Sequence, residues 1–198
     1  MQKYIVIADD LTGSNATCSL LKKIRLRAAS ILKLQNGMKY DTDVISYSTG
    51  SRGLDKEEAY KKVSEAIKIL KDKNVLVYNK RIDSTLRGNI GAEINAMLDN
   101  LENDRIAVVV PAYPDSKRIV VNKTMLVNGV LLENSDAGKD PKTPIKTSCV
   151  ETLIQKDCKY SSTYFELADI EQPIEKLIKK IQKSTEKSRI LIFDAVNN

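Results

Sequence analysis

Five short, mostly apolar runs recur along the chain: Tyr4–Ala8, Val44–Tyr47, Val75–Tyr78, Ile106–Val110 and Ile190–Phe193. Runs of this length suit strands buried on both faces. Amphipathic stretches separate them. In Leu54–Lys73, residues Ala59, Val63, Ala66, Ile67 and Leu70 fall three and four apart, giving one helical stripe. Asp55 with Glu58 three residues on forms a capping box at its start. Ile174, Leu177, Ile178 and Ile181 make a second stripe, in a helix begun near Asp169 or Pro173. This alternation predicts an α/β fold with a central, mainly parallel sheet and helices on both faces.

One segment breaks the pattern. "RIVVNKTMLVNGVLLEN", residues 118–134, has apolar runs around Asn128-Gly129, the signature of an inserted β-hairpin. The loop that follows, "SDAGKDPKTPIKTS", is rich in turn residues. No repeat or linker composition interrupts the chain, so its 198 residues read as one domain. The final strand reaches Asp194 and the sequence stops soon after, which reads as a domain cut off or completed by another element.

Composition narrows the chemistry. There is no histidine, so any base is a carboxylate, lysine, tyrosine or thiolate, and Ser-His-Asp and Cys-His mechanisms are excluded. Three cysteines at unrelated spacings, without histidine, argue against a zinc site or a disulfide framework. The net charge of +6 raises the question of a polyanionic partner. Most lysines, however, lie on predicted helix faces, and two Phe with no Trp supply a poor stacking platform, so nucleic acid is not the expected partner. No run suits a membrane span or a signal peptide, and a cytoplasmic protein is expected.

In open α/β sheets ligands bind beyond the carboxyl ends of the strands. There the sequence places "DDLTGSN", "STGSRG", "NKRIDSTLRGN" and "PAYPDSKR". Asp10 is a base or hydroxyl-binding carboxylate, or simply a helix cap; the residue types leave both open. Asp10 has a better claim than Asp9, because adjacent side chains on an extended segment point opposite ways. In the third loop Lys80, Arg81 and Arg87 flank Asp83, Ser84 and Thr85, more than a cap needs, and the helix amides after Gly88 add donors. A small-anion pocket is the favoured reading and a solvated, capped turn the alternative. Arg52 behind Ser51 repeats the pattern on a smaller scale. Neither GxxxxGK[ST] nor GxGxxG occurs.

Taken together, "IADDLTGSN" (7–15), "SRG" (51–53), "KRIDSTLRGNIGAEI" (80–94), "PAYPDSKR" (111–118), "LVNG" (126–129), "DPKTP" (140–144) and "DAV" (194–196) resemble the N-terminal half of the four-carbon acid sugar kinases. That family includes threonate, erythronate and 3-oxo-tetronate kinases. The resemblance implies transfer of the γ-phosphate of ATP, with Mg²⁺, to a terminal hydroxyl of a sugar acid. It implies an N-terminal domain, here residues 1–198, that holds the acid, and a C-terminal domain that binds the nucleotide. Asp10, Arg52, Lys80, Arg81, Asp83, Ser84, Thr85 and Arg87 are then the substrate-binding positions, with Asp10 the candidate base or orienting group. On this reading the chain by itself binds substrate, no cofactor and no metal, and does not phosphorylate. A homodimer is a further expectation, and a stand-alone sugar-acid-binding or sensory domain the alternative.

Overall fold

Strand β1 (Tyr4–Ala8) lies second from the edge of a four-stranded parallel sheet in the computed structural model, which describes residues 3–37 and 40–198. It is followed by α1 (Leu11–Lys23), β2 (Ala28–Ile31), β3 (Val44–Ser48), α2 (Lys56–Leu70), β4 (Val77–Arg81) and α3 (Ile90–Asn100). The strand order is β2-β3-β1-β4. Alternation along β1 sends its side chains to both faces. Ile5 and Ile7 pack with Ile45 against Val63, Ala66, Ile67 and Leu70 of α2 and Ala96 and Met97 of α3. Val6 turns the other way and packs with Val44 and Ala28 against Cys18 of α1. Ile5, Ile7, Ile45 and Ile67 are each at most 1% exposed, and burying each contributes about 1.5–3 kcal/mol. The helices therefore cover both faces, as the sequence implies. Asp55 caps α2 by accepting the Glu58 amide at 2.8 Å.

This unit comprises the chain through Asp83 together with Ala92–Glu102. A second compact unit comprises Ser84–Gly91 and Asn103–Asn198. No linker marks the division because the chain crosses it within the loop after β4, within α3 and in the turn just past α3, where composition has no reason to change.

The second unit holds β5 (Ala107–Val109), β6 (Arg118–Val121), β7 (Thr124–Val127), β8 (Val130–Leu131), α4 (Val150–Gln155), β9 (Ser162–Phe165), α5 (Leu167–Ile170), α6 (Ile174–Thr185) and β10 (Ile190–Phe193). Strands β5, β10 and β9 form a parallel sheet in that order, and β6-β7-β8 an antiparallel meander. The five anticipated strands thus divide between two parallel sheets. The Asn128-Gly129 turn is present, with φ of 53° and 82°, the left-handed pair a type I′ turn requires. A second turn of the same sign pattern, Asn122-Lys123 (φ 47° and 66°), joins β6 to β7.

Some expectations shift. The run Ile106–Val110 yields only the edge strand β5 (Ala107–Val109), on which Val108 is 60% exposed, and not a strand buried on both faces. The third strand is Val77–Arg81 rather than Val75–Tyr78, because the Val75 amide closes a turn onto the Asp72 carbonyl at 3.1 Å. Leu76 and Val77 are 61% and 50% exposed, so this apolar run belongs to an edge strand and not to a buried one. Lys80 and Arg81 consequently sit in the strand, with Arg81 in register with Ala8.

Candidate functional site

The connection from β1 runs through α1 on one face of the first sheet, and that from the adjacent β3 through α2 on the other. The carboxyl ends of β1 and β3 therefore flank a topological switch point, where doubly wound sheets place their ligands. Asp9 and Asp10 leave β1 there, and Thr49, Ser51 and Arg52 leave β3.

Arg52 organises this corner. Its Nε and Nη2 donate to Asp9 Oδ2 and Oδ1 at 2.6 and 3.1 Å. Its Nη1 lies 2.8 Å from Asp10 Oδ2, and its Nη2 3.6 Å from Asp83 Oδ1. Burial works against the guanidinium charge, but the Asp9 hydrogen bonds and the charges of Asp9, Asp83 and Asp10 outweigh it and raise the Arg52 pKa. Three carboxylates surround one guanidinium, so Arg52 braces the site before any ligand arrives.

Asp10 fills both roles left open by the sequence. Its Oδ1 accepts the Gly13 amide at 2.6 Å and caps α1, while its Oδ2 meets Arg52. A Cβ on residue 13 would fall 2.8 Å from Asp10 Oδ1 and 3.3 Å from Arg81 Cγ, so glycine is needed there for close approach.

Lys80 is occupied internally. Its ammonium pairs with Glu93 Oε2 at 2.9 Å and donates to the Arg81 carbonyl at 3.2 Å. Glu93, 1% exposed, accepts the Ser51 hydroxyl on its other oxygen, and Ser51 meets Thr49 Oγ1 at 2.7 Å. Thr49 in turn donates to the Ala8 carbonyl at 2.9 Å. A buried polar chain therefore ties together the ends of β1, β3 and β4.

Arg81 differs from both. Its stem packs against the first turn of α1, its Nε is buried without an acceptor, and its guanidinium makes no hydrogen bond or ion pair among the described residues.

Of the eight residues expected at the site, the first unit brings Asp10, Arg52 and Asp83 into direct contact, with Lys80 and Arg81 on the neighbouring strand end. Ser84, Thr85 and Arg87 belong to the second unit. There Arg87 Nη1 pairs with Asp140 Oδ2 at 2.9 Å. Asp140 opens "DPKTP" and accepts the amides of Lys142 and Thr143, each at 2.9 Å. The Thr143 amide, the Arg87 side chain and the Lys142 amide push its pKa down to about 2. In "DAV", Asp194 receives the Asn122 and Lys123 amides at 2.7 and 3.1 Å, the Tyr164 hydroxyl at 2.8 Å and the Leu167 amide at 3.2 Å. Both motifs are structural staples within that unit.

Sequence reasoning missed Asp9, Ser51 and Glu93 as site builders. Glu93 did carry a signal: it is the one charged residue in the stretch "IGAEINAML", and a buried acid requires a partner.

Charged loops gathered at the switch point of a parallel sheet define a domain of the small-ligand-binding α/β class. The chain belongs to the family described as the sugar-binding N-terminal domain, whose model matches residues 4–198. It is 42% identical over 202 residues to a D-erythronate kinase of Heliobacterium modesticaldum, covering 98% of this chain and 45% of the relative. It is 38% identical over 154 residues to a D-threonate kinase of Salmonella typhimurium, covering 77% and 36%. A Bordetella bronchiseptica protein solved as a domain-swapped dimer with bound citrate superposes with a TM-score of 0.82 at 26% identity, covering 98% and 47%. The chain thus spans less than half the length of these relatives. Among the described residues, no helix is long and apolar enough to cross a membrane, and no group of three or more acidic or cysteine side chains could hold a metal ion.

Proposed function

We infer that this domain holds the four-carbon sugar acid that a kinase phosphorylates on its terminal hydroxyl, with D-erythronate the first acid to test. The observation that carries the reading is Arg81, a guanidinium without an acceptor among the described residues at the carboxyl end of β4. A sugar acid offers a planar carboxylate that takes two parallel N–H bonds from such a fork. Its hydroxyls suit Asp10 and Asp83, whose carboxylates are already fixed by Arg52. Each Asp10 oxygen keeps a lone pair for a substrate hydroxyl. Asp10 would orient that hydroxyl and accept its proton, since phosphoryl transfer depends chiefly on positioning and charge stabilisation. Ser84, Thr85 and Arg87 keep the substrate-binding role their shared motif gives them. ATP with Mg²⁺ supplies the phosphoryl group when bound to the remainder of such an enzyme, and this chain's part is to bind and orient the acid.

The erythronate and threonate kinases among the relatives support the substrate class, and the citrate of the Bordetella protein supports a hydroxy-acid ligand. The same protein's dimer makes a homodimer the assembly to look for by light scattering. The test of function is a thermal-shift titration with D-erythronate, D-threonate and 3-oxo-tetronate, with and without ATP-Mg²⁺, on this chain and on Arg81→Ala. A ligand that binds only the folded state raises its stability. One acid should raise the midpoint of the natural chain and not that of the variant. No response to any acid, or an equal response in the variant, would sink the reading.

A further inference from the structure

Among the described residues, two arginines have a buried, unmet Nε: Arg81 and Arg118. Arg118 opens β6, at the carboxyl end of the β5-β10-β9 sheet. Two ties fix it there. Its backbone exchanges hydrogen bonds with Tyr113 at 2.8 and 3.2 Å, closing the loop after β5. Two residues on, Val120 exchanges bonds with Ala195, just past β10, at 2.8 and 3.0 Å. The meander is thus anchored across the ends of β5 and β10, where parallel sheets receive ligands.

Partners in a hydrogen-bonded antiparallel pair present their side chains on one face, so Tyr113, 38% exposed, stands on the same face as Arg118. On that face the guanidinium has almost nothing to hold. Its single hydrogen bond runs from Nη1 to the Ser116 carbonyl at 3.5 Å, and no carboxylate pairs with it among the described residues. Two acids beside this corner in the chain or across the bridge, Asp115 three residues before Arg118 and Asp194 next to Ala195, have partners of their own. Asp115 accepts the Asn198 amide at 2.6 Å, and both oxygens of Asp194 are taken by the four donors already described. Lys117, in a left-handed conformation at φ 54°, adds a second cation next to Arg118 in the chain. A half-buried guanidinium with no counter-charge is expensive unless an anion completes it, and Lys117, exposed, is free to meet the same anion from solvent.

We propose that Arg118 binds an oxyanion of a small ligand, a phosphoryl or carboxylate group, in an anion site of the second unit walled by Tyr113. The site belongs to that unit alone and does not depend on Arg81 or on which sugar acid is bound.

The test follows the Arg118 Nε–Hε resonance of the whole chain by NMR, assigned by its disappearance in Arg118→Lys. Inorganic phosphate and D-erythronate are titrated separately at ionic strength held constant with chloride. A saturable shift at Arg118 is expected, together with a shift of the Tyr113 amide that weakens at least tenfold in Arg118→Lys. Response to phosphate alone identifies a phosphoryl site, and response to erythronate alone a carboxylate site. An unmoved Arg118 in both titrations, or the same linear drift as the backbone amide of Arg25, an exposed residue of the first unit, would overturn the proposal. Failure of the sugar-acid reading would instead show as an unmoved Arg81 resonance with erythronate, so the two outcomes are separable.

Discussion

Arg52 grips both oxygens of Asp9, through Nε at 2.6 Å and Nη2 at 3.1 Å, and this two-point bond holds the β3 loop against the end of β1. Asp9 is 3% exposed along its side chain, so its charge has no substitute in water. Asp9→Asn should cost about 3 kcal/mol, the low end for breaking a buried ion pair from one side. Lysine cannot reproduce the fork, so Arg52→Lys should also lose stability, by less, while weakening sugar-acid binding through a displaced Asp10. Urea denaturation and thermal-shift titration of the two variants check this. Unchanged stability in Asp9→Asn would remove Arg52 from its bracing role.

Arg81 makes the opposite prediction. Because its buried Nε satisfies no partner, Arg81→Met should leave unfolding stability unchanged or slightly higher. Binding of the sugar acid should fall about 10- to 150-fold, the worth of a charge-assisted hydrogen bond at roughly 1.5–3 kcal/mol. Calorimetric titration beside a denaturant curve separates the two effects. A large stability loss with intact binding would make Arg81 structural.

Lys80 and Glu93 form a pair 9% and 1% exposed along their side chains, and each partner alone is a liability. Glu93→Gln and Lys80→Met should each cost about 3–5 kcal/mol. Both together should cost less than the sum, because the double variant leaves no isolated charge. The double-mutant cycle measures this directly, and additive costs would refute the coupling.

Strand cores were legible because burial of Ile5, Ile7 and Ile190 is a local property of apolar runs. The Asn128-Gly129 turn was legible for the same reason: its left-handed residues announce themselves. The Asn122-Lys123 turn was not, since it leans on Asp194, 72 residues from Asn122. Nor was the placement of β4, where Leu76 and Val77 look like core yet lie exposed along an edge. The α6 stripe formed its helix, but Ile174 and Ile178 remain 60% and 46% exposed, because amphipathicity dictates a face and not what covers it. At the site, the sequence showed which cations and acids are present. Their pairing was out of reach, because Arg52 finds Asp9 and Lys80 finds Glu93 only once three strand ends are side by side.

Asp140 carries the pH prediction. Its carboxyl, ordinarily near 3.8, is held at about 2 by the Thr143 amide, Arg87 and the Lys142 amide. A depressed carboxylate pKa contributes stability above the unfolded value and loses it as pH falls through the folded one. The Arg87 clasp should therefore be intact at pH 4 and above, and open between about pH 4 and 2. The side-chain carbon resonance of Asp140, followed through that range, should titrate below the other exposed aspartates and return to an ordinary midpoint in Arg87→Ala.

The last prediction turns on a backbone contact. A Cβ on Gly91, near the start of α3, would lie 2.0 Å from the Lys156 carbonyl oxygen and 2.9 Å from that of Ile154. Both obstacles are main-chain atoms at the end of α4, so no rotamer change relieves the clash. Gly91→Ala must push residue 91 away from the end of α4 within the second unit, and overpacking of this kind costs about 1–3 kcal/mol or more. Gly53 is the control, because a Cβ there meets nothing within 4 Å and its backbone is not left-handed. Helix propensity alone would make Gly91→Ala the favourable change of the two, since alanine is the better helix former. Thermal unfolding of both variants therefore sets packing against propensity: a lower midpoint for Gly91→Ala beside an unchanged one for Gly53→Ala means packing dominates, and the reverse order would show that the contact of residue 91 with the end of α4 yields.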